Sequence, residues 1–415
     1  MKTRATEMFG IDLPIFAFSH CRDVVAAVSK AGGMGVLGAL AFTPDELEME
    51  LNWIDDNIDG KPYGVDVVMP ASYAGQGGDL DPEHMAEQLE IELNWIDEHV
   101  DGKPYGVDVV MPASYAGAGG QLDPEHMAEQ LADMIPKEHK DFIEKVLREH
   151  DVPPLPPDED IGSGLLGWTH EGARPQVDIS LAHPISLLVN ALGPPPKDIV
   201  DEAHEHGVKV AALIGSVQQA ERQVNQGVDM IMAQGYEAGG HTGDVGVMVL
   251  VPEVVDAIGD RVPVLAAGGV GSGRQMAASM ALGAEGVWTG SIWLTTAESG
   301  TTPLVMDKLL AASSRDTVRS RVISGKPARQ LRTAWTDAWE GPDSPGYLPM
   351  PLQYMATSEA QRRIARAQNS ELQGMPVGQI VGRMNAVRPV RDVVFDLIEE
   401  FVEATERLDH LRDEE

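Results

Sequence analysis

Short apolar runs that alternate with helical patterns, from the start of the chain to about residue 300, constrain this fold more than any other feature. Pro14 to Ser19, Met34 to Leu40, Tyr63 to Met69, Ile185 to Ala191, Val208 to Ile214, Asp229 to Gln234, Val262 to Ala267 and Gly286 to Gly290 read as strands. Helical stretches lie between them. Arg22 to Ala31 is closed by Gly32-Gly33. Thr43 is followed by Pro44 at the first helical position and by Glu46 three residues on, the pattern of a capping box. Regular strand–helix alternation marks a parallel sheet. Eight such units predict an α/β fold, a (β/α)8 TIM barrel with its active site at the C-terminal ends of the strands.

One unit occurs twice. Leu47 to Gln88 and Leu89 to Gln130 align at an offset of 42 with six differences, as after a recent tandem duplication of a helix–strand unit (47–88 and 89–130). A closed eight-stranded barrel cannot hold a ninth strand. The expectation is that Tyr63 to Met69 enters the barrel and the other copy is looped out near the catalytic face. Residues 1–300 then form the barrel, with an insertion around 71–175 that includes the acidic, proline-rich run Asp151 to Asp160. Residues 301–415 read as a mainly helical C-terminal extension ending in the amphipathic stretch Val390 to Leu411, a lid or an oligomer contact such as a homodimer's.

Composition narrows the partners. The formal charge is −34, with 65 Asp and Glu against 31 Lys and Arg spread along the chain. Nucleic acid and anionic membrane surfaces are therefore poor partners. No apolar window approaches the length of a membrane span. The first ten residues lack the continuous apolar core of a signal peptide. Cys21 is the sole cysteine, which excludes an internal disulfide and suits a cytoplasmic protein.

Three strands end in glycine: before Gly235, at Gly268-Gly269, and at Gly290 followed by Ser291. Glycines at 268, 269, 271 and 273, with hydroxyls at Ser272, Thr289 and Ser291, favour a phosphate site in the loops after the last two strands. Tight turns are the alternative. His241 lies in the glycine-flanked run Gly239-Gly-His-Thr-Gly243. It reads equally as a general base or as a turn histidine bonded to backbone. Gln234 could face a flavin ring or satisfy loop backbone, and Glu237 reads as a solvated loop charge. His20 and Cys21 read as a packed pair. No His, Cys or carboxylate spacing suggests a metal site.

Ala26 to Gly38, Ala233 to Gly243, Ala266-Ala-Gly-Gly269 and Gly283 to Ser291 together resemble the nitronate monooxygenase (2-nitropropane dioxygenase) family of FMN-dependent barrels. The resemblance implies that His241 is the catalytic base and that Gln234, Gly239 and Gly240 approach the flavin. It further implies that Gly268, Gly269, Gly290 and Ser291 hold the FMN phosphate, with the backbone of Ala17, Phe18 and Ser19 along the ring. A family asparagine contact is replaced here by Asp66, or by Asp108 in the second copy. The implied reaction is oxidation of an alkyl nitronate or nitroalkane by O2 to a carbonyl compound and nitrite. Alternatives are an NAD(P)H-dependent enoyl reductase-type enzyme and a non-catalytic flavin- or phosphate-binding barrel.

The acidity also suggests a proteome adapted to high salt. At about 0.1 M salt charges interact over about 10 Å, against about 3 Å at 1 M, so like-charge repulsion grows as salt is removed. Thermal unfolding should then shift to lower temperature on desalting; a midpoint indifferent to salt contradicts the adaptation.

Overall fold

A computed structural model describes residues 1–39, 42–67, 127–156, 170–190 and 193–413. Eight parallel strands close a barrel: β1 (Ile15–Ser19), β2 (Met34–Gly38), β3 (Tyr63–Val67), β4 (Leu187–Asn190), β5 (Lys209–Ile214) and β6 (Met230–Gln234) run consecutively. The two-residue strand β7 (Gly240–His241) lies outside the barrel, and β8 (Val264–Ala267) and β9 (Val287–Thr289) complete it. β9 returns to β1 through Ile15 opposite Val287 and Ala17 opposite Thr289. Closure leaves no open strand edge. All eight expected strands are present.

The first copy of the duplicated unit supplies the barrel strand. β3 lies between β2 and β4, with Asp66 opposite both Gly38 and Val189. The second copy's strand, and with it Asp108, lies outside the described residues. The helix before β3 (Pro44–Asn57) begins with the capping box read from sequence: Thr43 Oγ1 accepts from Glu46 N, and Thr43 N donates to Glu46.

Alternation along the strands sorts two apolar layers. Phe16, Met34, Val36, Leu187, Met232 and Leu265 fill the barrel interior, and the short helix Arg4–Phe9 adds Ala5 and Phe9 from the N-terminal side. Residues of opposite parity, among them Val65, Val67, Leu188 and Val210, pack outward against the helices. At Gly35 a Cβ would lie 2.2 Å from Val25 O, so the missing side chain lets helix Arg22–Lys30 sit directly on β2.

The C-terminal extension is mainly helical, but it also contains two strands that the sequence reading missed. β10 (Thr317–Ser320) and β11 (Ala328–Leu331) form an antiparallel pair, and β11 pairs in turn with β7, Ala328 opposite His241 and Arg329 opposite Gly240. The extension and the insertion share a second core: Phe142, Val146 and Leu147 from helix Lys137–Glu149 meet Trp335, Trp339 and Ile364. Arg363 crosses this contact, bonding Glu144 and donating to Pro153 O. The last helix, Val390–Asp413, lies against helix Gly273–Ala281. Among the described residues no helix is long and apolar enough to cross a membrane.

Gly273 sets that last contact. A Cβ there would lie 2.2 Å from both Leu397 O and Phe401 N, backbone atoms that cannot rotate away. Gly273→Ala should therefore lift the C-terminal helix and cost about 1–3 kcal/mol, the range for overpacking. Urea unfolding and proteolytic release of the last helix read this; unchanged stability and cleavage contradict it.

Candidate active site

The C-terminal ends of the strands gather the residues singled out by sequence. Gly38 is opposite Asp66, Gln234 opposite Ala267, and Ala267 opposite Trp288, so Phe18, Asp66, Gln234, Gly268 and Gly290 share one end of the barrel. Phe18 points inward, its ring 6.1 Å from Trp288 and 5.0 Å from His20. Ala17 is fully buried, and Ser19 Oγ accepts from Cys21 N. His20 and Cys21 do not form the expected pair. His20 Nδ1 bonds Gly38 O, whereas the Cys21 thiol donates to Glu298 O.

The glycine loops divide into two kinds. Gly268 and Gly269 turn the chain after β8 with φ of 92° and 70°, a region that L side chains avoid. At Gly290, after β9, an added Cβ would meet only Phe18 among the described residues, 3.8 Å away, and a short 3₁₀ helix (Ser291–Thr295) begins there. Loops after the seventh and eighth barrel strands beside a short extra helix form the phosphate cradle of this architecture. Gly271 and Gly273 serve packing instead. A Cβ at 271 would lie 2.2 Å from Ile380 Cγ1, and Gly273 N donates to Glu400 Oε2 of the last helix.

The hydroxyls divide likewise. Ser272 caps helix Gly273–Ala281 by accepting from Gln275 N. Thr289 Oγ1 donates to Phe16 O and accepts from Trp293 Nε1. Ser291 Oγ accepts from Gly378 N, which ties the 3₁₀ turn to the C-terminal segment. Each of the three hydroxyls thus has an internal partner, and Ser291, which only accepts in this contact, keeps its O–H as a donor.

His241 is half-buried in β7, and its Nε2 lies 2.6 Å from the Oγ of fully buried Ser324. Burial, then the positive charge of Lys326, pushes its pKa down to about 4. Neutral at working pH, the imidazole keeps a lone pair, as a base must. Gly240 carries φ of 74° with no described atom within 4 Å of a Cβ, and Gly239 lies under the backbone of Val377 and Gly378. Glu237 is not a solvated charge. Its carboxylate accepts from Val247 N at the start of helix Val247–Ile258.

The residues that hold this loop escaped the sequence reading. Tyr236 lies under two guanidinium groups, Arg329 at 4.6 Å and Arg319 at 5.3 Å from the ring centre. Arg329 is buried, donates to Tyr236 O and Thr317 Oγ1, and has no described carboxylate partner. Arg319 bonds Thr242 Oγ1, Thr242 O and Asp244. Ser324, Arg319 and Arg329 come from four-residue strands and a tight loop too short to show a period. Among the described residues no cluster of His, Cys, Asp and Glu could hold a metal. A cavity of about 390 Å³ bounded by Glu237, Gly269, Gln275 and Arg383 has neither His241 nor Asp66 in its wall.

Three features of the barrel mouth fit a flavin phosphate cofactor: the left-handed Gly268-Gly269 turn, the open Gly290, and a buried Asp66 oxygen without a partner among the described residues. The comparisons agree. The nitronate monooxygenase family model matches residues 2–141 and 159–400. A Mycobacterium tuberculosis protein named as a monooxygenase is 48% identical, the alignment covering 99% of each chain. A "Probable nitronate monooxygenase" of Staphylococcus saprophyticus is 29% identical over 95% of this chain and 97% of its own. Nitroalkane oxidase from Streptomyces ansochromogenes superposes with a TM-score of 0.71 at 23% identity, covering 98% of this chain and 100% of that one. FabK from Thermotoga maritima gives 0.67 at 24% identity over 99% of each chain. These two structures speak for the fold. The chain belongs to the nitronate monooxygenase family, flavin-dependent oxidoreductases built on a (β/α)8 barrel.

Proposed function

We propose that this protein is an FMN-dependent enzyme that oxidises alkyl nitronates, and the nitroalkanes from which they form, with O2 to carbonyl compounds and nitrite. The observation that carries the reading is His241, held neutral against Ser324 in the loop that leaves β6 at the catalytic end of the barrel. It acts on small molecules in the cytoplasm.

In this reading the backbone N–H groups at Gly268, Gly269, Gly290 and Ser291 hold the phosphate. The backbone of Ala17, Phe18 and Ser19 lies along the ring system, and Gln234, Gly239 and Gly240 approach it from β6 and β7. Asp66 is the polar group that β3 supplies. When bound, FMN supplies the electron acceptor for the oxidation, and O2 is the terminal oxidant.

Nitroalkane activation is the work of the chain itself. With Ser324 Oγ accepting from Nε2–H, the lone pair of His241 lies on Nδ1, which removes the α-proton of the substrate. The product pair is an imidazolium and a nitronate anion. Arg329, Lys326 and Arg319 lie in the strands and loop that hold β7, and their field favours that anion. Burial, and after it the charge of Lys326, disfavours His241 protonation before substrate arrives, which keeps the resting base unprotonated. A preformed nitronate needs no proton removed.

For the neutral nitroalkane, His241→Ala should lower kcat/KM by about 10²–10⁴, the range for loss of a general base. The loss on the preformed nitronate should be much smaller, with flavin retained. The acid limb of the wild-type nitroalkane profile should lie near the displaced value of about 4, well below an ordinary histidine. Equal losses on the two substrates, or a limb at the usual histidine position, contradict the base role. Linkage has the same sign: His241 binds its proton more weakly folded than unfolded, so stability should decline as pH falls from the unfolded-histidine range toward about 4.

The reaction class is read separately by anaerobic spectroscopy. Bleaching of the flavin by a nitronate but not by NADPH supports the proposal. Rapid bleaching by NADPH alone points to an enoyl reductase-type enzyme. Bound flavin that neither reagent reduces points to a non-catalytic barrel.

A further inference from the structure

Asp66 places a carboxyl group where no described residue pairs with its Oδ1. It lies near the end of β3 with 5% of its surface exposed, and among the described residues its Oδ1 has no hydrogen-bond partner. Strand parity turns the side chain inward: Val65 and Val67 belong to the outer apolar layer, while Asp66 is in register with Val189, an interior residue. On the other side it is in register with Gly38, which contributes no side chain. The backbone of Asp66 is already satisfied by Ala39 N, so the unmet requirement belongs to the side chain alone.

The surroundings supply no compensating cation among the described residues. On β2 the inward positions are Met34, Val36 and Gly38, and on β4 they are Leu187 and Val189, none of them titratable. The titratable side chain nearest this end of β2 is His20, whose ring covers Gly38 and bonds its carbonyl. Helices Arg22–Lys30 and His170–Ala182 pack against the outside of β3, so Arg22, Asp23, Lys30 and Asp178 lie on the far side of the strand. Asp55, bonded to Tyr63 OH and to His183 Nδ1, lies toward the opposite end of β3. Desolvation alone raises the Asp66 pKa well above the ordinary carboxylate value.

A buried ionised carboxylate without a partner is far costlier than the neutral acid, and the acid carries an O–H that must itself find an acceptor. We propose that Asp66 brings its own proton into the barrel mouth and donates it as a hydrogen bond to an accepting atom of the bound flavin. The inference rests on the FMN reading above. It makes Asp66 a cofactor-binding residue whose contribution is switched off when the acid ionises. Asparagine at the same position would offer a permanent N–H donor of the same shape.

The test compares wild type with Asp66→Asn. FMN affinity of the flavin-free proteins is followed by fluorescence quenching at steps between about pH 5.5 and about pH 9.5, a span over which an ordinary carboxyl stays ionised. Wild-type affinity should fall at least tenfold with rising pH relative to Asp66→Asn. Titrations common to both proteins, including that of the FMN phosphate, cancel in this ratio.

Urea unfolding of the flavin-free proteins adds a second readout. A group whose folded pKa is raised contributes stability below its unfolded pKa and loses it as pH rises through the folded value. Wild type should therefore lose stability relative to Asp66→Asn on going from about pH 4 upward. Parallel pH profiles for the two proteins in stability overturn the proposal while leaving FMN binding intact. Failure of both proteins to bind FMN at any pH overturns the FMN reading, and the Asp66 role with it.

Discussion

The pairing of β7 with β11 is the interaction on which the catalytic end depends. Two residues, Gly240 and His241, are held as a strand by Arg329 and Ala328 from the C-terminal extension. A two-residue strand has no independent stability. Without that partner the glycine-flanked loop after β6 would sample many conformations, because glycine raises the entropy of the free chain. Pairing fixes His241 beside Ser324, and the two arginines on Tyr236 pin the start of the same loop. Each cation–ring contact is worth about 0.5–1 kcal/mol where exposed and more where desolvated. Arg329 is buried but Tyr236 is exposed, so this contact is only partly desolvated.

The same extension defines what the glycine-rich loops do. Ile380 fills the space above Gly271, the last helix lies on Gly273, and Glu400 places a carboxylate at the N-terminus of helix Gly273–Ala281. That helix end, a natural anion site, is thereby satisfied from within the chain. The turn at Gly268-Gly269 lies instead against Ala238 and Glu237 of the loop after β6, and Gly290 is the more open position. The C-terminal extension is thereby anchored to the outer wall of the barrel through Gly271 and Gly273.

Much of the barrel was legible in the sequence because its signals are local. Apolar runs of four to seven residues, glycines at strand ends and the Thr43–Glu46 box each act over a few residues. Every expected strand is accordingly present within a residue or two of its predicted ends. The motif around His241 was legible as well, although its role stayed balanced between base and turn until the fold placed it. What the sequence hid was long-range. Thr317 to Ser320 and Ala328 to Leu331 are polar, short and unremarkable in pattern, and they become strands only by pairing with each other and with β7. Glu237 reads as an ordinary loop charge, yet the fold brings it to the start of helix Val247–Ile258, where Val247 N donates to it.

By itself the sequence determined the alternation that closes into eight strands, the glycine turns, the single candidate base and a membership borne by contiguous motifs. These follow from periodicity and from backbone freedom, properties that neighbouring residues settle among themselves. Only the tertiary structure decided which glycines are spaces for packing, which hydroxyls are already committed, and which copy of the duplicated unit supplies β3. It also decided that Asp66 faces an apolar interior and that His241 is kept neutral. Desolvation and long-range pairing have no signature in a local window, because both depend on what the folded chain brings alongside.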